Sequence, residues 1–370
     1  PYIVADSVGG DLTTEEYAFG GGYARRIGRF DIALRGDYRA AQEYRQVDPR
    51  PHNVVSDFTV RLGAGMELGR SVLILDLRGR LYKQNSRISF FNETNTVREL
   101  FMAGLGSILQ RYSGKSGSTL TAYTGRGYAV AAQLMPHRPE GWYARAEYSR
   151  FTTDRNYRPN NSIPVSTLRT QRGEAHVAYR AGRWSLGAYA ARSQRLGIEM
   201  VADRTGQGTP VDRQAMYENR IWQAGAEATV EWRRGNRRYA LRPGVEWQQS
   251  AAEYLWPARE MTLSRLGGSL RGHAEWLFTR WRFKASLGIG CYGAPSGTLS
   301  LPGLADYLAE YLTGTAERLN SRTLAPEAGF RAERRLRGRT ACFAEAGWSP
   351  RLYEGGLAEH NLTAACGFLF

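Results

Sequence analysis

Along most of this chain apolar and polar side chains alternate with a period of two, and few folds can accept that pattern over so many segments. Residues i, i+2 and i+4 of a strand share a face, whereas an amphipathic helix repeats near 3.6. In 29–45, Phe30, Ile32, Leu34, Gly36 and Tyr38 alternate with Asp31, Ala33, Arg35, Asp37 and Arg39. In 57–69, Phe58, Val60, Leu62, Ala64, Met66 and Leu68 alternate with Asp57, Thr59, Arg61, Gly63, Gly65 and Glu67. The same beat returns at Trp222–Trp232 and Trp281–Ile289. Fifteen strands are predicted: 14–25, 29–45, 57–68, 71–84, 119–136, 141–153, 173–181, 183–196, 217–233, 237–250, 264–279, 281–293, 322–335, 339–349 and 358–370. Most are longer than the roughly five or six residues of a globular strand. They reach the roughly nine to eleven that a tilted membrane strand requires.

The connections alternate between short and long. Short ones are 25–29, 68–71, 137–141, 181–183, 233–238, 279–281 and 334–339; long ones are 46–56, 85–118, 154–172, 197–216, 251–263 and 294–321. Short periplasmic turns and longer outer loops are the habit of an outer-membrane barrel, and a soluble sandwich has no reason to gather every long loop at one end. The expected fold is therefore all-β, a transmembrane antiparallel up-and-down β-barrel of about 14–18 strands over residues 1–370. No run of eighteen apolar residues exists, so transmembrane helices are excluded. The mean hydropathy of -0.47 does not bear on a barrel, since only alternate residues meet lipid.

The segment Asn361–Phe370 places Leu362, Ala364, Cys366, Phe368 and Phe370 on one face and ends on an aromatic, as a closing strand at a membrane interface would. If Phe370 lies at the periplasmic rim, strand 14–25 runs downward and Pro1 starts on the outer side. An even strand number then calls for an upward strand before Pro1 and a count of sixteen; one false strand would instead give fourteen.

PYIVADSVGGD (1–11), DPRP (48–51) and the C-terminal strand ending in Phe370 together resemble an uncharacterised family of outer-membrane β-barrels from Bacteroidota that carries only a domain-of-unknown-function label. The resemblance implies a barrel in the bacterial outer membrane, with a signal peptide and further strands ahead of the PYIVADS-like segment. It implies no activity and no site residues.

Strand parity sorts the charged residues. Arg35, Arg39, Arg61, Arg78, Arg80, Arg145, Arg271, Arg282 and Lys284 share the inward face with Glu67, Asp76, Glu147, Glu227, Glu231 and Glu345, and His273 joins them. Bases and acids are about equal there, which predicts a wet, ion-paired lumen without a strong single-sign field; an anion pore would want uncompensated Arg or Lys rings. The net charge of +15 comes instead from arginines in the short turns, such as Arg25, Arg29, Arg183, Arg233, Arg234 and Arg280. Beside them Phe30, Trp142, Trp184, Trp232, Tyr239, Phe278, Trp281 and Phe370 form a predicted periplasmic aromatic girdle. Basic residues among aromatics can also bind nucleic acid. Here the aromatics face lipid, so the expected partner is outer-membrane lipid and not nucleic acid.

Enzyme chemistry finds little support. His176 and His273 point inward near Glu174 and Glu275, a pairing that could serve an outer-membrane hydrolase, yet no nucleophile motif accompanies them. No cofactor or metal motif is present. Cys342 and Cys366 share outward parity on neighbouring strands; a hairpin symmetric about residue 354 would set them opposite each other and permit a disulfide, the plainer reading being two lipid-facing thiols. Segments 303–314 and 98–112 are predicted helical candidates, constricting the lumen, docking a partner or packing on the barrel wall. The functional expectation is a non-enzymatic accessory or structural component of an outer-membrane transport or assembly complex, binding a TonB-dependent transporter or surface lipoproteins through its outer loops. The alternative is a passive or gated porin-like channel for a small solute, with loops 85–118 and 294–321 limiting the bore.

Overall fold

A computed structural model describes residues 2–6, 10–89, 99–113, 119–157, 162–202, 210–336 and 340–369. Its elements in chain order are β1 (Val4–Asp6), β2 (Thr13–Ile27), β3 (Phe30–Tyr44), β4 (Arg50–Leu68), β5 (Ser71–Ser89), β6 (Glu99–Phe101), β7 (Thr119–Pro136), β8 (Gly141–Tyr157), β9 (Ile163–Ala181) and β10 (Trp184–Ala202). They continue with β11 (Pro210–Arg234), β12 (Arg237–Tyr254), β13 (Arg259–Leu277), β14 (Trp281–Ser300), α1 (Asp306–Asn320), β15 (Thr323–Arg335), β16 (Ala341–Trp348), β17 (Arg351–Tyr353), β18 (Ala358–Glu359) and β19 (Leu362–Leu369).

Seventeen of these strands make one sheet closed into a barrel, with β2 beside β19; β1 and β6 form a separate two-stranded sheet. Antiparallel ladders run from β2 round to β19, as in Leu34↔Leu62, Leu62↔Leu77 and Leu77↔Val130. β16 with β17, and β18 with β19, are single passes interrupted near Pro350 and at His360 and Asn361, so fifteen passes are described, within the expected range. All fifteen predicted strands are present.

The two faces of the sheet differ in chemistry. Leu34, Leu62, Leu75, Leu77, Leu186 and Leu287 lie on one face, 46–69% exposed, although a water-soluble sheet would bury such residues. The charged rows lie on the other face. Along β11 the outward apolar row runs from Trp222 to Trp232, and at about 3.3 Å per residue and a tilt of roughly 40° this spans ~25 Å, the height of a barrel's lipid belt.

Strands extend beyond this belt into much of what the sequence assigned to long loops. β4 starts at Arg50, β8 and β9 leave only 158–162 between them, β10 continues to Ala202, β12 and β13 are separated by 255–258, and β14 reaches Ser300. The alternation weakens in these stretches because they stand above the lipid, yet the ladders continue. α1 occupies the predicted helical segment, displaced toward its C-terminus. Its covered side is Leu308, Leu312 and Ala316, whereas Tyr307 and Tyr311 are 57% and 66% exposed. The described part of the other candidate, residues 99–112, is not helical. It forms β6 and a chain of turns.

Candidate functional site: a lid over a charged lumen

At the long-loop end, Tyr2–Asp6 and Glu99–Ser113 fold together as a lid. β1 and β6 pair through Val4↔Phe101, Ala5↔Leu100 and Asp6↔Glu99, and the Met102 amide donates to Ile3 O at 2.9 Å. Lying across strand ends, this sheet gains its stability from side chains rather than from its three paired residues, since so short a hairpin-like pair is marginal alone. Phe101 is 0% exposed and packs edge-on to Tyr157 (centroids 5.6 Å) and beside Tyr112 (5.8 Å), with Val165 completing the cluster. Tyr2, Ala103, Tyr217, Ala252 and Tyr254 form a second cluster, flanked by Leu105, Leu109, Met216 and Met261.

Two register shifts supply residues that simple alternation would point elsewhere. Between Arg155↔Ser166 and Asn156↔Pro164 the ladder skips Val165, and between Gly197↔Tyr217 and Ile198↔Ala215 it skips Met216. Each is an extra residue of the kind that re-aims a side chain, and both packed residues belong to the lid contacts. Close approach explains two glycines. A Cβ on Gly104 would sit 2.0 Å from the Tyr217 ring, and one on Gly197 would sit 2.2 Å from the Tyr2 ring.

Three charged side chains anchor the lid. Arg155 of β8, 1% exposed, donates from Nη1 to Ile3 O and Met102 O at 3.2 Å, with its guanidinium over the Tyr2 and Phe101 rings. Arg259 of β13, 6% exposed, donates to Leu105 O, Ser107 Oγ, Pro302 O and Gly303 O at 3.0–3.1 Å, tying the lid to the segment before α1. Glu199 of β10 accepts from the Tyr2 hydroxyl at 3.1 Å and the Tyr254 hydroxyl at 2.9 Å. Burial, and next the Glu199 carboxylate, push the Tyr2 phenol far above its ordinary value, so it stays a donor. Together these contacts cover the strand ends from β8 to β13.

Below the lid, the pairing register places all sixteen predicted lumen residues on the face opposite the apolar one. Arg145 meets Glu147 at 2.5 Å, and Arg78 pairs with the same carboxylate. Arg80 and Arg39 converge on Asp57 at 2.6 and 3.9 Å, and Arg35 holds Asp37 at 2.7 Å. Glu67 pairs with Arg26 (2.6 Å), Glu231 with Arg180 (2.8 Å) and Arg271 with Glu327 (2.8 Å). Arg282 pairs with Glu275, Lys284 lies 3.7 Å from Glu333, and Arg331 bridges Glu333 to Glu345 at 2.7 Å. Arg61, Asp76, Glu227 and His273 share the face without a hydrogen bond or ion pair among the described residues. The basic partners are 25–63% exposed, whereas the carboxylates of Asp57, Glu147, Glu275 and Glu333 are only 12–15% exposed, so water screens these pairs from the basic side. Their main effect is mutual neutralisation of the wall. Near the short-turn end a cavity of about 950 Å³ opens among Arg180, Glu231, Arg238, His273, Lys284 and Arg331.

His176 stacks on Tyr189 (5.6 Å) with Nε2 3.9 Å from Glu174, an arrangement that holds the ring against the wall. Among the described residues no group of three or more His, Cys, Asp or Glu is placed to hold a metal. The short-turn girdle appears on the apolar face: Trp142 stands 5.0 Å from Tyr179, Trp232 stacks on Tyr239 (5.6 Å) and Trp281 on Phe283 (5.6 Å), with Phe30, Trp184 and Phe278 exposed beside them. Phe370, Arg337 and Arg339 lie outside the described residues.

Of the two cysteine readings, the disulfide is the one that needs correction. Cys342 pairs in register with Phe368, and Cys366 with Ala344, so the hairpin is symmetric about 355 (342 + 368 = 2 × 355) and the thiols are offset by two residues. Both are free, as is Cys291. The register is the same on both sides of the breaks at Pro350 and at His360 and Asn361, so the one-residue difference lies in the turn itself, which is centred on Gly355 and not on Glu354.

The lid residues Arg155, Glu199, Tyr217 and Arg259 were not singled out by sequence reasoning. They lie at or above the ends of the alternating stretches, and the only signal was the unusual apolarity of 98–112.

Comparison with curated proteins returns no match. Among solved structures, the chain is similar to a bacterial polysaccharide outer membrane secretin (11% identity, 92% of this chain, 89% of that one, TM-score 0.44). It is also similar to the copper transporter OprC (11% identity, 95% of this chain, 65% of that one, TM-score 0.48) and to a loop-deletion mutant of OmpT from Vibrio cholerae (12% identity, 99% of both chains, TM-score 0.34). The barrel assignment rests on the strand register and on the two faces of the sheet, not on these likenesses. The model of a family of unknown function, DUF6850, matches residues 1–370, and the chain belongs to that family.

Proposed function

We propose that this member of the DUF6850 family, an outer-membrane β-barrel, works as a closed barrel: a non-enzymatic accessory of an outer-membrane transport or assembly complex that engages its partner at the long-loop end. The observation that carries this reading is the lid, whose aromatic clusters and buried anchors Arg155, Glu199 and Arg259 resist displacement. A wall of neutralised ion pairs fits the same role, because it offers a permeating ion no uncompensated ring. The exposed Tyr307 and Tyr311 on α1, one helical turn apart, give the long-loop end an aromatic contact surface of the type enriched in protein interfaces.

A gated channel is the second reading, favoured by the cavity that opens among charged side chains at the short-turn end. The partner surface can be tested by placing a photoreactive amino acid at Tyr311 and irradiating intact outer membranes. A discrete adduct larger than the chain is expected, with none from the same probe at lumenal Gly329. Equal labelling from both positions, or none from Tyr311, would count against a partner at α1.

A further inference from the structure

We propose that the outer wall of the barrel, just beyond its apolar belt on the long-loop side, carries a binding site for the phosphate groups of an outer-leaflet lipid headgroup. A cleft of about 560 Å³ crosses β7 to β11 there, with Arg126, Arg169 and Arg213 on its walls. All three lie on the lipid-side face, Arg126 and Arg169 by the parity of their strands and Arg213 through the register shift at Met216. Arg126 is opposite Thr152, Thr152 is opposite Arg169, and Arg213 is opposite Met200. Following the same rows toward the short turns leads to Tyr128, Tyr148 and Val177, which are 42–49% exposed and lie within the lipid belt.

These arginines differ from those of the lumen in one respect. Most lumenal guanidiniums are ion-paired, whereas among the described residues Arg126, Arg169 and Arg213 have no side-chain hydrogen bond or ion pair, and the Arg169 Nε is buried without a partner. The acid in the cleft, Asp154, is engaged by the Thr167 hydroxyl at 2.6 Å. On β11 the adjacent acid, Asp212, has its Oδ1 on the Arg213 backbone amide at 2.7 Å, and Glu218 is held by Arg220 at 2.6 Å. Three guanidiniums beside the single Asp154 carboxylate leave the cleft with an excess of positive charge, and a dianionic phosphate relieves that through charge-assisted hydrogen bonds from planar guanidinium forks. Arg126 and Arg169 are two strand spacings apart, roughly 10 Å between backbones, so both side chains can close on one phosphate.

Position selects the source of that phosphate. The cleft begins where the apolar rows end, so a headgroup enters it while its acyl chains lie along the Leu, Ala and Tyr rows below. Acidic residues of a peptide would find no such apolar continuation. This inference rests on the membrane-barrel reading, with long loops outward.

The test is native mass spectrometry of the detergent-solubilised protein, titrated with diphosphorylated lipid A and with the same lipid after removal of its phosphates. At least tenfold tighter binding of the phosphorylated lipid is expected, lost in an Arg126→Gln, Arg169→Gln, Arg213→Gln triple variant and retained in an Arg183→Gln, Arg233→Gln control at the opposite rim. Single substitutions at each of the three, checked for folding by heat-modifiable mobility, cover the case in which the triple variant does not fold. Equal binding of the two lipids, or no loss in any variant, would overturn the site. Displacement by an equal concentration of inorganic phosphate would overturn the lipid as its source, as would displacement by an equal concentration of an acidic peptide. Failure of the protein to enter liposomes would instead refute the membrane reading, and it is read separately by flotation.

Discussion

Replacing Phe101 with alanine is expected to loosen the lid by about 3–5 kcal/mol while leaving the barrel folded. The side chain is fully buried between Tyr112, Tyr157 and the Arg155 guanidinium, and its loss leaves a cavity as well as removing apolar contact. The change falls on local opening, because the barrel ladders from β2 to β19 contain nothing from Tyr2–Asp6 or Glu99–Ser113. Hydrogen exchange reads this at two amides, Met102 (bonded to Ile3 O) and Leu109 (bonded to Phe101 O). If both exchange by lid opening, their rates should rise about 100- to 4,000-fold, each 1.4 kcal/mol being tenfold. Strand amides such as that of Leu77 should not change. Unaltered protection at Met102 and Leu109 would mean that the lid is held by something other than the aromatic clusters.

The largest effect on the barrel itself is expected from a charge on its outer wall. Leu77 lies in the middle of the apolar rows, opposite Leu62 and Val130, and is 50% exposed. In lipid, Leu77→Arg should cost about 2–4 kcal/mol, the penalty for arginine near the bilayer midplane. Ala365→Arg, on the inward face opposite Glu345, should cost under about 1 kcal/mol, because a half-exposed ion pair forms there. Urea unfolding in liposomes measures both. Equal costs would show that the two faces are not lipid and lumen.

The fold was legible in the sequence because a barrel writes its pleat into every pass. Leu34 and Arg35, or Leu77 and Arg78, announce opposite faces without knowledge of their neighbours, and register then brings like faces together. The lid was not legible, for two physical reasons. Val165 and Met216 sit at register shifts, where parity gives the wrong face. Arg155, Glu199 and Arg259 gain their meaning only from segments more than forty residues away in the chain, as Arg259 does from Leu105, Ser107 and Pro302. The cysteine pair shows the limit in small: parity placed Cys342 and Cys366 on one face, but a turn centred on Gly355 and not on Glu354 decided whether they met. The outward arginines of the long-loop end escaped notice because the sequence alone cannot say which charges lack partners.

The account centres on a barrel closed at its long-loop end, and single-channel recording in a planar bilayer tests that claim most directly. The folded protein should insert, as shown by protease protection in parallel liposomes, and give no stable conductance steps, whereas Phe101→Ala should give brief openings as the lid frays. Stable steps from the unaltered protein would contradict the closed barrel and make the lid a gate that stands open at rest.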